Sequence, residues 1–137
     1  MLDIIGKNIQ ITRGNMLPIT ISANNEIDGQ DYELQAGDII RFKIMQADKV
    51  EKVMLQKDFK VEEVSTEKTI TMTANEMKIG ELVNKPKNYW YEIELNPDTD
   101  KTQTIIGYDV DEDGKPDPAV ITILPEGGDI PSEGGEA

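Results

Sequence analysis

The chain of 137 residues carries a formal net charge of −13 and contains neither histidine nor cysteine. This length corresponds to about one domain, and the missing residue types exclude Ser-His and Cys-His catalytic groups, disulfide bonds and zinc sites built from imidazole or thiolate ligands. We therefore expect a binding or structural protein that is not an enzyme and uses no cofactor.

The negative charge is concentrated late in the chain, because residues 96–137 hold 11 acidic and 2 basic side chains. Such a surface repels phosphate groups, so a nucleic-acid partner is not expected. No apolar run is long enough for a signal peptide or a membrane span. The sequence therefore predicts synthesis in the cytosol and no membrane partner.

Apolar and polar residues alternate along most of the chain, which is typical of half-buried antiparallel strands. In segment 38–46, for example, Ile40, Phe42 and Ile44 point to one side and Arg41 points to the other. This alternation predicts strands at 8–12, 17–23, 38–46, 53–62, 69–73, 89–95, 103–109 and 119–124. Short strands at this spacing predict an all-β fold, an immunoglobulin-like antiparallel β-sandwich that spans residues 1–125 as one domain.

One short helical turn is expected between two of these strands. Thr73 and Glu76 have the spacing of a capping box, in which a hydroxyl and a carboxylate accept hydrogen bonds from backbone N–H groups at a helix start. Gly80 follows at a distance that suits a left-handed residue at the helix end. We expect this segment to connect strands rather than to build the core.

The last segment, residues 126–137, contains four glycines and almost no apolar side chains. Such a segment buries too little apolar surface to offset the entropy that ordering costs. The sequence therefore predicts a disordered, acidic, glycine-rich tail after the sandwich.

The sharpest local motif is an acidic loop late in the chain. Asp109, Asp111, Asp113 and Asp117 occupy positions 1, 3, 5 and 9 of a calcium-binding loop, and a glycine stands at position 6. Position 12, which needs a bidentate acid, holds Val120 instead. The alternative is a hairpin whose tip carries solvated acids. We predict the hairpin and favour no metal ion, with calcium as the remaining candidate.

The only tryptophan marks a candidate interaction surface. When Tyr89 and Tyr91 face the core, Trp90 points outward from the same strand. An exposed indole can stack on a sugar or anchor a partner protein, whereas a packed indole lies under a loop or a neighbouring subunit. The packed arrangement is favoured, because large aromatic side chains are mostly buried. Glu92 and Arg41, at other outward positions, complete the predicted surface.

An enzymatic alternative depends on Glu92 and Glu94, which lie two residues apart on one strand face. Paired acids can hydrolyse glycosidic bonds when one of them is held in an apolar pocket. Alternation places both of these side chains outward, which argues against this function, although the missing histidine and cysteine do not exclude carboxylate chemistry.

Several segments, taken in chain order, resemble a known family. They are 11–21 (ITRGNMLPITI), 32–44 (YELQAGDIIRFKI), 73–76 (TANE), 89–95 (YWYEIEL), 102–107 (TQTIIG) and 120–125 (VITILP). Residues 8–125 as a whole resemble the N-terminal domain of phage baseplate upper proteins and similar small proteins encoded in prophages of Gram-positive bacteria. The resemblance implies an immunoglobulin-like β-sandwich with a structural role in the virion tail.

We therefore expect a non-catalytic structural protein of a phage or prophage particle, either a tail baseplate component or an accessory protein, located in the virion. Its expected partners are other virion or tail proteins, or further copies of the same chain. The alternative is a small carbohydrate-binding or calcium-dependent adhesion module. Glycan binding that depends on Trp90 would favour the alternative, whereas neighbouring tail or capsid genes would favour the particle.

Overall fold

The computed structural model describes residues 2–5, 7–21, 33–81 and 84–126, and these residues form eleven β-strands and no helix. The strands are β1 (Leu2–Ile5), β2 (Asn8–Thr12), β3 (Leu17–Ile21), β4 (Ile39–Gln46), β5 (Lys49–Lys60), β6 (Lys68–Met72), β7 (Lys87–Leu95), β8 (Gln103–Ile106), β9 (Asp109–Val110), β10 (Pro116–Asp117) and β11 (Val120–Leu124). The predicted all-β class is confirmed.

Seven of these strands form one large sheet in the order β1-β2-β11-β7-β4-β5, and β8 pairs with the second half of β7. The sheet is antiparallel, as predicted, apart from β2 and β11, which run parallel with Ile9 opposite Ile121. Parallel neighbours need a long connection, and most of the chain separates these two strands. β3 and β6 form a second, two-stranded sheet, and β9 and β10 form a hairpin.

The core is built from the side chains that the alternation predicts to face inward. Ile40, Phe42 and Ile44 on β4, together with Ile93 and Leu95 on β7, are at most 1% exposed. The two-stranded sheet adds Leu17, Ile19, Ile21, Ile70 and Met72 to the same buried cluster. Burying a side chain of this kind contributes about 1.5–3 kcal/mol, so this single cluster is the main stabilising feature of the fold.

The predicted capping box is confirmed at residues 73–76. The Thr73 N–H donates to Glu76 Oε1 at 2.7 Å, and the Glu76 N–H donates to Thr73 Oγ1 at 3.2 Å. The Met77 N–H donates to the Thr73 carbonyl at 3.1 Å, which closes a single helical turn. The expectation that this segment lies outside the core is wrong, because Met77 is fully buried and belongs to the core cluster, so the turn both connects strands and contributes to the core.

The largest differences from the predicted strand lengths are at β5, which spans Lys49–Lys60, at β7, which begins at Lys87, and at β8, which ends at Ile106. Glu126, the first residue of the predicted tail, forms an ion pair with Arg13 at 3.3 Å. The rest of that tail, residues 127–137, lies outside the described residues, as do residues 22–23 of the strand predicted at 17–23.

Candidate functional site

The three residues predicted to form an interaction surface lie on the outer face of the large sheet. Trp90 and Glu92 are two residues apart on β7 and therefore share that face. Arg41, on the neighbouring strand β4, stands opposite Glu94, and Lys43 stands opposite Glu92. The strand register thus brings the predicted residues to one face, with Arg41 and Trp90 at opposite ends of it.

Arg41 is held within the chain by two carboxylates. Its Nε and Nη2 atoms donate to the two Asp58 oxygens at 2.8 and 3.1 Å, and its Nη1 donates to Asp98 Oδ2 at 3.0 Å. The hydrogen bonds that both carboxylates accept raise the pKa of Arg41, and the hydrogen bonds that Arg41 donates lower the pKa of Asp58. Because these bonds occupy both edges of the guanidinium group, Arg41 connects strands and is a poor candidate for contacting a partner.

Glu92 forms an ion pair with Lys43, with 3.2 Å between Oε1 and Nζ. Burial raises the pKa of Glu94, and the charge of Glu92 raises it further. A raised pKa is the direction that a general acid needs. However, Glu92 lines the cleft beside Trp90 and Glu94 does not, so the two acids do not face a common substrate cavity there.

Trp90 packs against Tyr108, which follows the short strand β8. The ring centroids lie 5.5 Å apart with an angle of 55° between the ring planes. Trp90 is half-buried, whereas Tyr108 is 55% exposed. The sequence analysis favours a packed indole, under a loop or a neighbouring subunit. In the structure Tyr108 packs against the indole, and an open cleft remains beside it.

The cleft beside Trp90 has a volume of about 240 Å³. Val50 from the start of β5 and Tyr108 form exposed parts of its wall, and the ion pair between Lys43 and Glu92 forms another part. The remaining wall consists of Met45, Tyr91, Pro118 and Ala119. We call this feature the Trp90 cleft. Its lining is mainly apolar and aromatic, with one neutralised pair of charges.

The position of Tyr108 is determined by contacts at the preceding residue. A Cβ at Gly107 would approach Thr104 Cγ2 to 2.9 Å, so a larger residue here would require the Thr104 side chain to move. The Lys7 ammonium donates to the Gly107 carbonyl at 3.1 Å and lies 3.3 Å from the Asp117 carboxylate. Lys7 therefore ties both ends of the segment 107–117 to the large sheet.

The Tyr91 hydroxyl donates a hydrogen bond to the Lys7 carbonyl and so fixes the backbone of Lys7. Burial raises the pKa of Tyr91 to about 12, so the phenol remains a hydrogen-bond donor even in moderately alkaline solution. The sequence pattern indicated no role for Lys7 or Tyr108. The only signal for the loop was Gly107 inside an apparently continuous strand, since an isolated glycine there often marks a break or a close approach.

The acidic loop is a hairpin. Asp109 pairs with Asp117 and Val110 pairs with Pro116. The Asp111 Oδ1 atom accepts hydrogen bonds from the N–H groups of Asp113 and Lys115, both at 2.9 Å. Asp111 therefore stabilises the turn by binding its own backbone. No three acidic residues of the described chain come together in a group that could hold a metal ion.

A second cleft, of about 350 Å³, lies on another part of the molecule beside Arg13 and Tyr89. Arg13 donates to the carbonyls of Ile79 and Gly80, each at 3.2 Å, and Gly80 packs against the Tyr89 hydroxyl. These contacts join the end of the capped turn to the large sheet.

Comparisons with known proteins found no relative: no family model, no curated protein and no solved structure matches the chain. Within the described segments there is no helix with the length and apolar character that a membrane crossing requires.

Proposed function

We propose that the protein is a non-catalytic structural component of a phage or prophage particle, in the tail baseplate or as an accessory protein, and that it acts through protein–protein contacts. The segments quoted above between residues 8 and 125 support the tail assignment through their resemblance to baseplate upper proteins. The all-β fold with one shared core supports an immunoglobulin-like sandwich as its architecture.

The main support for a binding role is the Trp90 cleft on the outer face of the large sheet. Two ion pairs lie on that face: Arg41 is paired with Asp58 away from the cleft, and Lys43 is paired with Glu92 in the cleft wall. Paired charges attract a partner only weakly. Exposed aromatic side chains in a well-defined depression are typical of the few residues that dominate a protein interface.

The particle role is tested by purifying particles from the source strain on a density gradient and identifying their proteins by mass spectrometry. We expect the protein to migrate with tail proteins at a constant ratio across the particle peak, and its gene to lie beside tail genes. An uninduced culture is the control. Recovery only in the particle-free fractions would contradict the proposal.

Carbohydrate binding is the second candidate, because the exposed ring of Tyr108 beside Trp90 offers a surface on which a sugar can stack. A glycan array distinguishes the two functions. Reproducible binding that is lost in Trp90→Ala, and retained in Met16→Ala at an exposed apolar position outside the cleft, would favour the adhesion module.

A further inference from the structure

Exposed apolar side chains cluster around the Trp90 cleft. Val50 and Tyr108 line the cleft and are 56% and 55% exposed, and Val110, two residues beyond Tyr108, is 58% exposed. Such a patch, bordered by charged residues, is typical of a surface that a partner covers. The volume of about 240 Å³ is below the range of about 300–1,000 Å³ that drug-sized ligands need. The cleft therefore fits a single inserted side chain.

The charge around the cleft favours a cation. The hairpin of β9 and β10 adjoins the cleft through Pro118 and Ala119, and its nine residues include five acids and one lysine. Lys43 and Glu92 neutralise each other inside the cleft. The segment that supplies Val50 to the cleft wall, residues 48–52, contains two acids and two lysines. The summed charge of these groups is therefore negative, even with the Lys7 ammonium paired to Asp117, and negative charge attracts an approaching cation.

Among cationic side chains, arginine matches this surface best. Its planar guanidinium group stacks on the faces of tryptophan and tyrosine, and its donors match carboxylates in pairs. A lysine ammonium is more strongly hydrated and loses more on entering an aromatic cleft. A sugar would need free donors and acceptors in the wall, whereas the two charged groups there already bind each other.

We propose that the Trp90 cleft receives an arginine side chain from the basic surface of a partner protein, with the rings of Trp90 and Tyr108 as its contact surface and the acidic hairpin as its electrostatic guide. This inference rests on the protein–protein role proposed above and specifies the chemistry of the partner.

The test uses the one indole N–H signal that the full-length protein gives in nuclear magnetic resonance spectra, since Trp90 is the only tryptophan. The probes are blocked peptides Gly-Arg-Arg-Gly, Gly-Lys-Lys-Gly and Gly-Ser-Ser-Gly, and the trimer of N-acetylglucosamine. The peptides and the sugar are titrated up to about 10 mM, because a single side chain binds weakly without the rest of an interface.

We expect the arginine peptide to shift the Trp90 signal at lower concentrations than the lysine peptide, and the serine peptide and the sugar to leave it unchanged. Tyr108→Ala should weaken arginine binding about tenfold, as for a residue that contributes ~1.4 kcal/mol. The double variant Glu112→Gln, Asp113→Asn should weaken binding less and reduce its sensitivity to salt. Met16→Ala is the matched control and should bind like the natural protein.

Equal binding of the lysine and arginine peptides would overturn the inference, because it would show attraction by charge alone. A shift caused by the sugar and not by the arginine peptide would assign the cleft to carbohydrate. Amide spectra of each variant check that the fold is retained. If the protein migrates with particles and no peptide binds, only the cleft inference fails. If the arginine peptide binds and the particles lack the protein, only the virion role fails.

Discussion

The two faces of β4 and β7 come from alternate residues of the same segments and have opposite properties. On the inner face Phe42 is fully buried and its ring centroid lies 5.8 Å from that of Tyr91. On the outer face the neighbouring residues Arg41 and Lys43 form ion pairs across the strands. The inner face therefore supplies stability through burial, whereas the outer face pairs these two charges and carries the Trp90 cleft, the proposed binding site.

Removing a large side chain from the inner face should have the largest effect. We expect Phe42→Ala to lower the free energy of unfolding by about 3–5 kcal/mol, because the buried ring leaves a cavity. Urea denaturation measures this loss. Lys43→Ala, one residue along on the outer face, should change the free energy of unfolding by less than about 1 kcal/mol. Similar losses in the two variants would contradict the contrast between the faces.

Gly80 tests the packing between the capped turn and the inner face. Its φ angle is +73°, and a Cβ there would overlap the Tyr89 hydroxyl. Gly37 is the matched control, because its φ is also positive, +96°, and a Cβ there would have no atom of the described residues within 4 Å. Each change to alanine should cost about 1–2 kcal/mol of backbone strain. Gly80→Ala should cost a further ~1–3 kcal/mol through overpacking, measured by thermal unfolding.

Glu76 should make stability depend on pH. The hydrogen bond from the Thr73 N–H, and then the ammonium of Lys57, hold the pKa of Glu76 below its usual value of 4.5. A lowered pKa contributes stability that is present above the unfolded-state pKa and is lost as the pH falls through the folded-state pKa. Glu76→Gln should therefore be less stable than the natural protein at neutral pH, by up to about 1 kcal/mol.

The difference between Glu76→Gln and the natural protein should shrink as the pH falls below 4.5 and through the lowered pKa of Glu76, where the carboxyl group takes up a proton. Melting temperatures measured across that range test this. A difference that persists unchanged in acid would mean that the amide disrupts the turn by its shape rather than by its missing charge.

The smallest effect is expected on the outer face at Arg41. Arg41→Lys keeps the charge and loses the paired hydrogen bonds to Asp58, so the free energy of unfolding should fall by less than about 1 kcal/mol. Urea denaturation in low salt and in about 1 M salt should show the difference shrinking as salt screens the pair. A loss comparable to that of Phe42→Ala would mean that the outer face also determines stability.

The alternation of residues was sufficient to predict the strands whose inner face is buried. Ile40, Phe42 and Ile44 are spaced two residues apart, a period that places all three side chains on one face of a strand. All three are buried, as this spacing predicts. The four-residue strand β1 was not predicted, because its existence depends on pairing with β2. The parallel pairing of β2 with β11 could not be predicted from the sequence either, since no local pattern specifies which distant segment becomes a neighbouring strand.

The candidate site was predictable only in part. Alternation places Trp90 and Glu92 on the outer face. The two acids that hold Arg41 come from β5 and from the turn after β7, and both depend on the register of three strands. Tyr108 reaches Trp90 only because the chain turns at Gly107, where the sequence pattern predicts a strand that continues to residue 109.

The place of β11 in the sheet affects how the chain can fold. β11 follows the other ten described strands in chain order, yet it lies inside the large sheet, between β2 and β7. Until residues 120–124 have left the ribosome, β1 and β2 cannot join the large sheet, and the first half of β7 lacks its β11 partner. Closing so long a loop is entropically costly and slow. Exposed edges meanwhile pair readily with other chains, so nascent and newly released chains are the population most prone to aggregate.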